Sequence, residues 1–433
     1  MIMNCILVFD IGKTNQKYFL FDTNLNLILQ GNEKTPKIKD EDGDTCDDIE
    51  KITKWIKKVF YRYLNSNLYK ISKVNFSAFG ATFVHLDSSF KIIKPVYDYN
   101  KKIDEEIISL FYSKYGPVSK FSLTTGSKNL NMLNSGKQIF WLKRKKPDFY
   151  KKIKYSLHLP QYLSFLFTEE LTTEYTSIGC HTDLWDYENK KYHSWVKDES
   201  IDKLFPSIVK TNKTITKTIN SNKIIFGVGI HDSSSALQYY LTNESDPFIL
   251  ISTGTWCINF NPFAKDNIFD IDQINSGATA YMKIDGSPVK TSRIFLGAEH
   301  EIKLKELVHF FQIENFDQNK INFDKNIYKA VKKYKNHFRW TYLSKDNCPD
   351  NQILNFDNFD QAYHRLIFEL FLVLKIYISV IFEDSIRKFY VDGGFSNNKI
   401  FTEIFRLNYP NQKIIINTRS NASSIGAAML INF

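Results

Sequence analysis

Residues 5–22 of this 433-residue chain read Cys-Ile-Leu-Val-Phe-Asp-Ile-Gly-Lys-Thr-Asn-Gln-Lys-Tyr-Phe-Leu-Phe-Asp. Two apolar, β-branched and aromatic runs flank a short polar turn, which predicts a β-hairpin. Residues 247–262 repeat this plan as Pro-Phe-Ile-Leu-Ile-Ser-Thr-Gly-Thr-Trp-Cys-Ile-Asn-Phe-Asn-Pro. Because hairpins are common, two of them do not prove a duplication. Their shared Gly-Thr turns nevertheless favour two similar domains that each open with a hairpin.

The rest of the chain alternates strand-like and helical patterns. Residues 71–79, 224–229 and 389–391 predict strands, and each is followed by a glycine-containing turn. Helical spacing is present in residues 47–64, 135–145, 151–168 and 360–387, and the last of these is almost continuously apolar, as in a helix buried between layers. This alternation predicts an α/β fold.

The domain boundary is expected where the pattern is weakest. Residues 211–222 are polar and lack a clear period. We therefore predict two domains, residues 1–222 and residues 223–433.

Composition excludes several classes of protein. With 43% hydrophobic and 24% charged residues, the chain is globular rather than disordered. No uncharged apolar run reaches the length of a membrane span, and the N-terminus lacks the features of a signal peptide, so a cytoplasmic protein without a membrane association is expected. Five scattered cysteines without a Cys-x-x-Cys pair predict neither a disulfide framework nor a zinc site.

The charge excess does not indicate a nucleic-acid partner. The net charge of +10 comes mostly from lysine, and we interpret it as a compositional bias. The densest basic run, residues 143–146, lacks the interleaved aromatic residues that stack on bases, which favours a solvent-exposed face.

Three turns have the composition of phosphate-binding loops. Residues 10–15 combine a carboxylate suited to Mg²⁺ with a glycine and several donors, residues 252–255 offer hydroxyl and N–H groups, and residues 392–398 place two adjacent glycines before a helix. Each signal is weak alone. None matches the dinucleotide-binding or P-loop glycine patterns.

A fourth turn, residues 227–236, places Asp232 after a strand and before small residues that begin a helix. Taken alone, Asp232 is best explained as a helix cap. The alternative is a general base that takes a proton from a hydroxyl as this hydroxyl attacks a γ-phosphate.

In their order along the chain, these turns resemble the FGGY carbohydrate kinases. Residues 137–143 (Lys-Gln-Ile-Phe-Trp-Leu-Lys), 159–163 (Leu-Pro-Gln-Tyr-Leu) and 424–428 (Ser-Ile-Gly-Ala-Ala) are similar to further motifs of that family. Residues 80–87 and the His-Asp pair at 231–232 look closest to the rhamnulokinase and fuculokinase branch. The resemblance extends from Asp10 to Ala428.

The resemblance implies an actin-like fold in which two RNase H-like domains enclose a cleft. The N-terminal domain would bind sugar and phosphate, and the C-terminal domain would bind the nucleotide and carry the base near its start. Asp232 would be the catalytic base and Asp10 the ligand of Mg²⁺. The expected sugar contacts are Gly80, Thr82, His85 and His231. The expected ATP contacts are Gly12, Lys13, Thr14, Asn15, Thr253, Gly254, Thr255, Gly393, Gly394 and Asn398.

The implied reaction is ATP-dependent phosphorylation of a small-molecule sugar. The primary hydroxyl of a ketose such as L-fuculose or L-rhamnulose is the first expectation, and D-xylulose or a polyol is the alternative. The chain is shorter than most family members. It also has Gln161 where the family has an aspartate and Asp392 where the family has the first of three glycines, and residues 293–297 match the family only loosely. These departures leave the identity of the sugar open.

Two alternatives to an active kinase remain at this point. One is a non-catalytic actin-like nucleotide-binding module, and the other is a degenerate kinase that acts as a regulator. The presence of Asp10, Asp232 and Thr255 argues against the second. The oligomeric state stays open, with a homodimer as one alternative.

Overall fold

A computed structural model describes residues 2–264, 270–314, 317, 321–333, 338–343, 356–417 and 421–432. Its strands are β1 (Met3–Ile11), β2 (Asn15–Asp22), β3 (Leu27–Lys34), β4 (Lys37–Lys39), β5 (Thr45–Asp47), β6 (Tyr69–Ala78), β7 (Phe83–Leu86), β8 (Ile92–Ile93), β9 (Tyr155–His158), β10 (Thr173–Glu174), β11 (Trp185–Asp186), β12 (Lys191–Tyr192), β13 (Ile208–Val209), β14 (Thr214–Ile219), β15 (Asn222–Gly227), β16 (Ile230–His231), β17 (Phe248–Thr253), β18 (Cys257–Asn261), β19 (Ala278–Met282), β20 (Pro288–Ile294), β21 (Lys388–Gly393) and β22 (Lys413–Ile416). Its helices are α1 (Ile49–Leu64), α2 (Glu105–Tyr115), α3 (Val118–Thr125), α4 (Ser135–Lys145), α5 (Pro147–Tyr150), α6 (Leu159–Thr168), α7 (Tyr175–Ile178), α8 (Ser194–Asp198), α9 (Asp232–Asn243), α10 (Ile271–Asn275), α11 (Leu296–Phe310), α12 (Lys325–Val331), α13 (Phe359–Ser379), α14 (Lys399–Asn408) and α15 (Ala422–Met429).

Two sheets share one plan. In the first, the antiparallel strands β3, β2 and β1 continue into β6 and β15, which run parallel to β1, while β14 closes the edge. In the second, β20, β18 and β17 are antiparallel and continue into the parallel strands β21 and β22, with β19 at the edge. Both predicted hairpins and the duplication that they suggested are confirmed.

The first sheet extends past the predicted domain boundary. Residues 211–222, the polar stretch near which the boundary was expected, contain β14, whose partner β15 begins at Asn222. β16 also pairs with β6 of the first sheet. Strands β14, β15 and β16 thus belong to the first sheet, and the boundary between residues 222 and 223 stays a prediction.

Two helix predictions need correction. Residues 151–168 are not one helix interrupted at Pro160, because β9 pairs with β7 in the first half and Pro160 lies in the first turn of α6. A proline there loses no intrahelical hydrogen bond, since the first N–H groups of a helix have no partner. Helix α13 is buried against the second sheet as expected, but it ends at Ser379 because the chain turns there to enter β21.

The basic run and the cysteines are structural. Lys143 and Arg144 pair with the buried Glu199, while the next two lysines pair with Glu106 of α2 and with Glu41 between β4 and β5. Four of the cysteines are buried thiols without a disulfide, namely Cys5, Cys46, Cys180 and Cys257, whereas Cys348 lies outside the described residues. Within the described ranges, none of the helices has both the length and the apolar character needed to cross a bilayer.

Helices α9 and α15 pack closely between the two sheets. A Cβ at Gly426 would lie 1.9 Å from the Ser235 carbonyl oxygen, so only glycine permits this approach. The Ser235 hydroxyl donates to the Ser423 carbonyl oxygen at 2.5 Å. Ile425 packs on the first sheet, whereas Leu237 packs on the second. The helix pair therefore connects the two domains.

We expect Gly426→Ala to lower stability. Alanine in place of glycine inside a helix ordinarily stabilises it by about 1 kcal/mol, whereas forcing a methyl group into a packed contact costs roughly 1–3 kcal/mol. The close approach to Ser235 therefore predicts a net loss, which urea unfolding of the variant and the unmodified chain would measure. A gain in stability would contradict the described contact.

Candidate active site

The three glycine-containing turns lie around one cavity of about 780 Å³. The turn between β1 and β2, the turn between β17 and β18, and the loop after β21 all contribute to its wall, as does the start of α9. Of the predicted site residues, the cavity is lined by Asp10, Gly12, Lys13, Thr14, Asn15, Asp232, Gly254, Thr255, Gly393 and Gly394.

A second cavity of about 280 Å³ adjoins the first. Seven residues line both cavities: Lys13, Tyr99, Asp232, Ser233, Ser252, Gly254 and Trp256. Predicted residues that line only the smaller cavity are Gly80, His231 and Thr253. Its wall is largely apolar, with Phe79, Leu133 and Tyr281 among its members. The arrangement provides a large compartment and a small compartment that meet at Asp232.

Within the described part of the chain, no lysine or arginine side chain forms an ion pair with the Asp232 carboxylate. Asp232 is the first residue of α9, and its Oδ1 accepts hydrogen bonds from the Ser233 N–H at 2.6 Å and the Ser233 hydroxyl at 3.1 Å. It does not cap the helix, because its described acceptor contacts do not reach the later N–H groups of the first turn. Burial raises the pKa of Asp232 to about 6, although the bonds from Ser233 oppose the shift. Such a carboxylate is suited to accept a proton near neutral pH.

His231 is a neutral neighbour of Asp232. Its Nε2 lies 3.3 Å from Asp232 Oδ1 and 3.1 Å from the Cys180 Sγ. Burial lowers the pKa of His231 to about 4, so the imidazole is uncharged near neutral pH. It therefore orients the carboxylate without neutralising it.

Asp10 is the second carboxylate of the larger cavity. Ser423 of α15 donates to its Oδ2 at 2.9 Å. Burial and the nearby charge of Asp232 both raise the pKa of Asp10. Two carboxylates that repel each other in one cavity favour a cation between them. The described residues contain no cluster of three or more His, Cys, Asp or Glu side chains that could hold a metal ion.

Lys13 anchors the first turn instead of presenting a free charge. Its ammonium group lies 2.6 Å from Asp47 and 2.8 Å from Asp98, and it packs over the rings of Phe79 and Tyr99. The two carboxylates neutralise most of its charge. The turn therefore presents mainly backbone N–H groups and the side chains of its neighbours to the cavity.

The second and third turns are joined through Thr253. Its hydroxyl donates to the Asp392 carbonyl oxygen at 2.5 Å and accepts from the Phe395 N–H at 3.0 Å. Gly393 adopts a φ of +87°, and a Cβ there would lie 2.0 Å from the Thr253 carbonyl oxygen. The Thr253 side chain is thus part of the scaffold that holds the two turns together.

Three predicted site residues lie away from both cavities. Thr82 is buried, and His85 Nδ1 lies 2.9 Å from the Ser156 hydroxyl with its pKa lowered by burial to about 3. Asn398 caps α14 and donates to the Tyr363 hydroxyl at 2.8 Å. His85 and Asn398 thus have structural contacts, whereas the Thr82 hydroxyl has no hydrogen-bond partner among the described residues.

Glu299 and His300 of α11, whose residue types would also suit a sugar site, are likewise absent from both linings. Glu299 accepts from the backbone N–H groups of Tyr342 and Leu343. His300 Nε2 lies 3.1 Å from the Tyr363 hydroxyl. Both side chains stabilise the second domain.

Sequence reasoning missed several residues that line the smaller cavity. Trp256 and Arg293 lie in two stretches that the sequence analysis discussed, residues 247–262 and 293–297, but the local pattern predicted no role for either side chain. Tyr99, His181 and Tyr281 gave no local signal. All five come from separate loops and strands, so only the folded chain brings them together.

Comparisons with known proteins give the family and the fold. The model of the FGGY family of carbohydrate kinases, N-terminal domain, matches residues 5–235. A rhamnulokinase from Halalkalibacterium halodurans is 23% identical over 296 residues, a match that covers 64% of this chain and only 62% of that protein's length.

Several solved structures of kinases match nearly the whole chain. A carbohydrate kinase from Novosphingobium aromaticivorans has a TM-score of 0.77 at 21% identity, covering 98% of this chain and 93% of the other. A ligand-bound xylulose kinase from Lactobacillus acidophilus has a TM-score of 0.76 at 15% identity, covering 99% and 89%. The expected actin-like fold, two RNase H-like domains with a cleft between them, is confirmed.

Titration of the Asp232 carboxyl group tests the described electrostatics. Because burial penalises the charged form, the protonated form persists to higher pH, and the midpoint should lie near pH 6 instead of 3.8. Carbon-13 NMR of labelled aspartate carboxyl groups would measure this, with Asp232→Asn used to assign the signal. Ser233→Ala should raise the midpoint further, since it removes a hydrogen bond to the charged form. A midpoint at or below 4 would contradict the burial of this group.

Proposed function

The chain belongs to the FGGY family of carbohydrate kinases, and on this premise we propose that it transfers the γ-phosphate of ATP to a sugar hydroxyl. The larger cavity takes ATP and the smaller cavity takes the sugar. The observation that carries the proposal is the position of Asp232, whose partly desolvated carboxylate lines both cavities where they meet.

Asp232 acts as the general base in this proposal. It accepts the proton of the sugar hydroxyl as the hydroxyl oxygen attacks the γ-phosphorus, and ADP leaves on the opposite side. His231 Nε2 and the Ser233 N–H both contact Oδ1 of this carboxylate and hold it in place. Since phosphoryl transfer depends mainly on positioning and electrostatics, the turns around the larger cavity contribute by aligning the phosphates.

Asp10 is the residue proposed to hold Mg²⁺, with waters and ATP phosphates completing the coordination. The ion would neutralise charge on the phosphates. The described residues fit this role, because a single carboxylate at the cavity edge with a second carboxylate nearby suits an ion that retains most of its waters. Ser423 keeps one Asp10 oxygen oriented through its hydroxyl group.

The proposed acceptor is the primary hydroxyl of a ketose such as L-fuculose or L-rhamnulose, with D-xylulose or a polyol as the alternative. The rhamnulokinase relative supports the first choice. The smaller cavity also supports it, because an apolar wall that includes Phe79 and Leu133 suits the methyl group of a 6-deoxy sugar.

Release of ADP with Mg-ATP and a panel of ketoses, polyols and aldoses tests the proposal. One or more sugars should stimulate turnover many-fold in the unmodified chain. Asp232→Asn should reduce this turnover by at least about a hundredfold, since general-base catalysis typically contributes 10²–10⁴-fold. Asp148→Asn, an exposed carboxylate on α5 with 89% of its side chain accessible, is the matched control and should retain full activity.

ATP turnover that no sugar stimulates and that Asp232→Asn leaves unchanged would contradict the kinase proposal. Such a result would instead support a non-catalytic or purely ATP-hydrolysing actin-like module.

A further inference from the structure

One charged side chain that lines the smaller cavity, Arg293, lacks a hydrogen-bond acceptor among the described residues. Arg293 lies near the end of β20 and lines this cavity. Its guanidinium carbon lies 5.5 Å from the centre of the Trp256 ring. Its Nη2 is buried and has no hydrogen-bond partner. No described residue forms a hydrogen bond or an ion pair with the other two guanidinium nitrogens either.

The nearest functional carboxylate does not fill this gap. Asp232 lines the same cavity, but its described contacts are with Ser233 and His231. The two histidines of the cavity, His181 and His231, have pKa values lowered by burial and carry no charge near neutral pH. A partly buried guanidinium without an acceptor is unfavourable, because its lost hydration is not replaced. A ligand that supplies the acceptor would relieve this cost.

Arg293 is separated from the compartment assigned to the nucleotide. It lines the smaller cavity only, whereas Trp256 lines both cavities and Phe295 lines the larger one. Its missing acceptor is therefore expected on the sugar and not on the ATP phosphates.

We propose that Arg293 is a specificity residue that binds a planar oxygen of the sugar, either the keto oxygen of an open-chain ketose or the carboxylate of a sugar acid, and so discriminates against polyols. This inference rests on the proposed sugar kinase function. It deepens that function by assigning the feature of the acceptor that the small cavity recognises.

The chemistry of the guanidinium group supports this selectivity. Its N–H groups form a rigid planar fork that matches carbonyl and carboxylate oxygens, and stacking on an aromatic ring fixes the plane of that fork. A polyol offers only tetrahedral hydroxyl groups, which compensate less well for the lost hydration of a buried cation. A site built around such a donor rejects an analogue that lacks the matching acceptor.

Calorimetric binding of three matched compounds tests the proposal without requiring turnover. L-Fuculose, L-fuconate and L-fucitol have the same carbon chain but carry a keto group, a carboxylate and only hydroxyl groups. The unmodified chain should bind the ketose or the acid at least about tenfold more tightly than the polyol. Tighter binding of the ketose assigns the keto oxygen, and tighter binding of the acid assigns the carboxylate.

Arg293→Met should weaken binding of the preferred compound by roughly tenfold to a hundredfold and leave the polyol within about twofold. Arg293→Lys keeps the charge but loses the planar fork of donors. Its affinity for the preferred compound should therefore lie between that of the unmodified chain and that of Arg293→Met. Arg406→Met removes an exposed arginine of α14 and should change nothing. Retained ATP binding by each variant shows that its fold is intact.

Several outcomes would overturn the role of Arg293. These are equal binding of all three compounds by the unmodified chain, binding of none of them, an equal loss for all three in Arg293→Met, or a loss of ATP affinity in that variant. Absence of phosphorylation together with the expected binding preference would contradict the kinase proposal alone. Phosphorylation without the preference would contradict the assignment of Arg293 alone.

Discussion

The close packing of α9 against α15 is the contact on which the candidate site depends. Gly426 allows α15 to approach the Ser235 carbonyl oxygen more closely than any side chain would permit. Ser423, the second residue of α15, donates to Asp10 near the end of β1, while α9 itself begins with Asp232. One helix pair therefore sets the positions of both carboxylates, although they come from opposite ends of a long stretch of sequence.

The electrostatics of the cleft follow from this placement. Asp10 and Asp232 are both partly desolvated, and their proximity raises the pKa of Asp10. The one lysine that lines both cavities is already paired with Asp47 and Asp98. The described cleft thus has excess negative charge near Asp232, so binding of a nucleotide together with its cation would satisfy both the carboxylates and the phosphates. In the smaller cavity, Arg293 Nη2 is buried without a hydrogen-bond partner among the described residues, which favours an electron-rich acceptor.

The sequence was sufficient for the features that depend on local patterns. The two hairpins, the alternation of strands and helices, and the turns at residues 10–15, 252–255 and 392–394 all follow from short-range composition, and the structure brings these turns to one cavity. Features that depend on pairing between distant segments were not predictable. Strand β9 was taken for helix because its partner β7 is about seventy residues earlier in the chain. Likewise, His85 had the residue type of a sugar contact, but its strand pairing directs it to Ser156.

The central claim is that Asp232 lies between the reacting hydroxyl and the γ-phosphate. A crystal structure with a non-hydrolysable ATP analogue and a sugar found active in turnover assays tests it most directly. The account predicts the nucleotide in the larger cavity, the sugar in the smaller one, and the reacting hydroxyl within about 3.2 Å of a carboxylate oxygen of Asp232. A sugar bound elsewhere, or one whose reacting hydroxyl lies beyond the reach of Asp232, would contradict the claim.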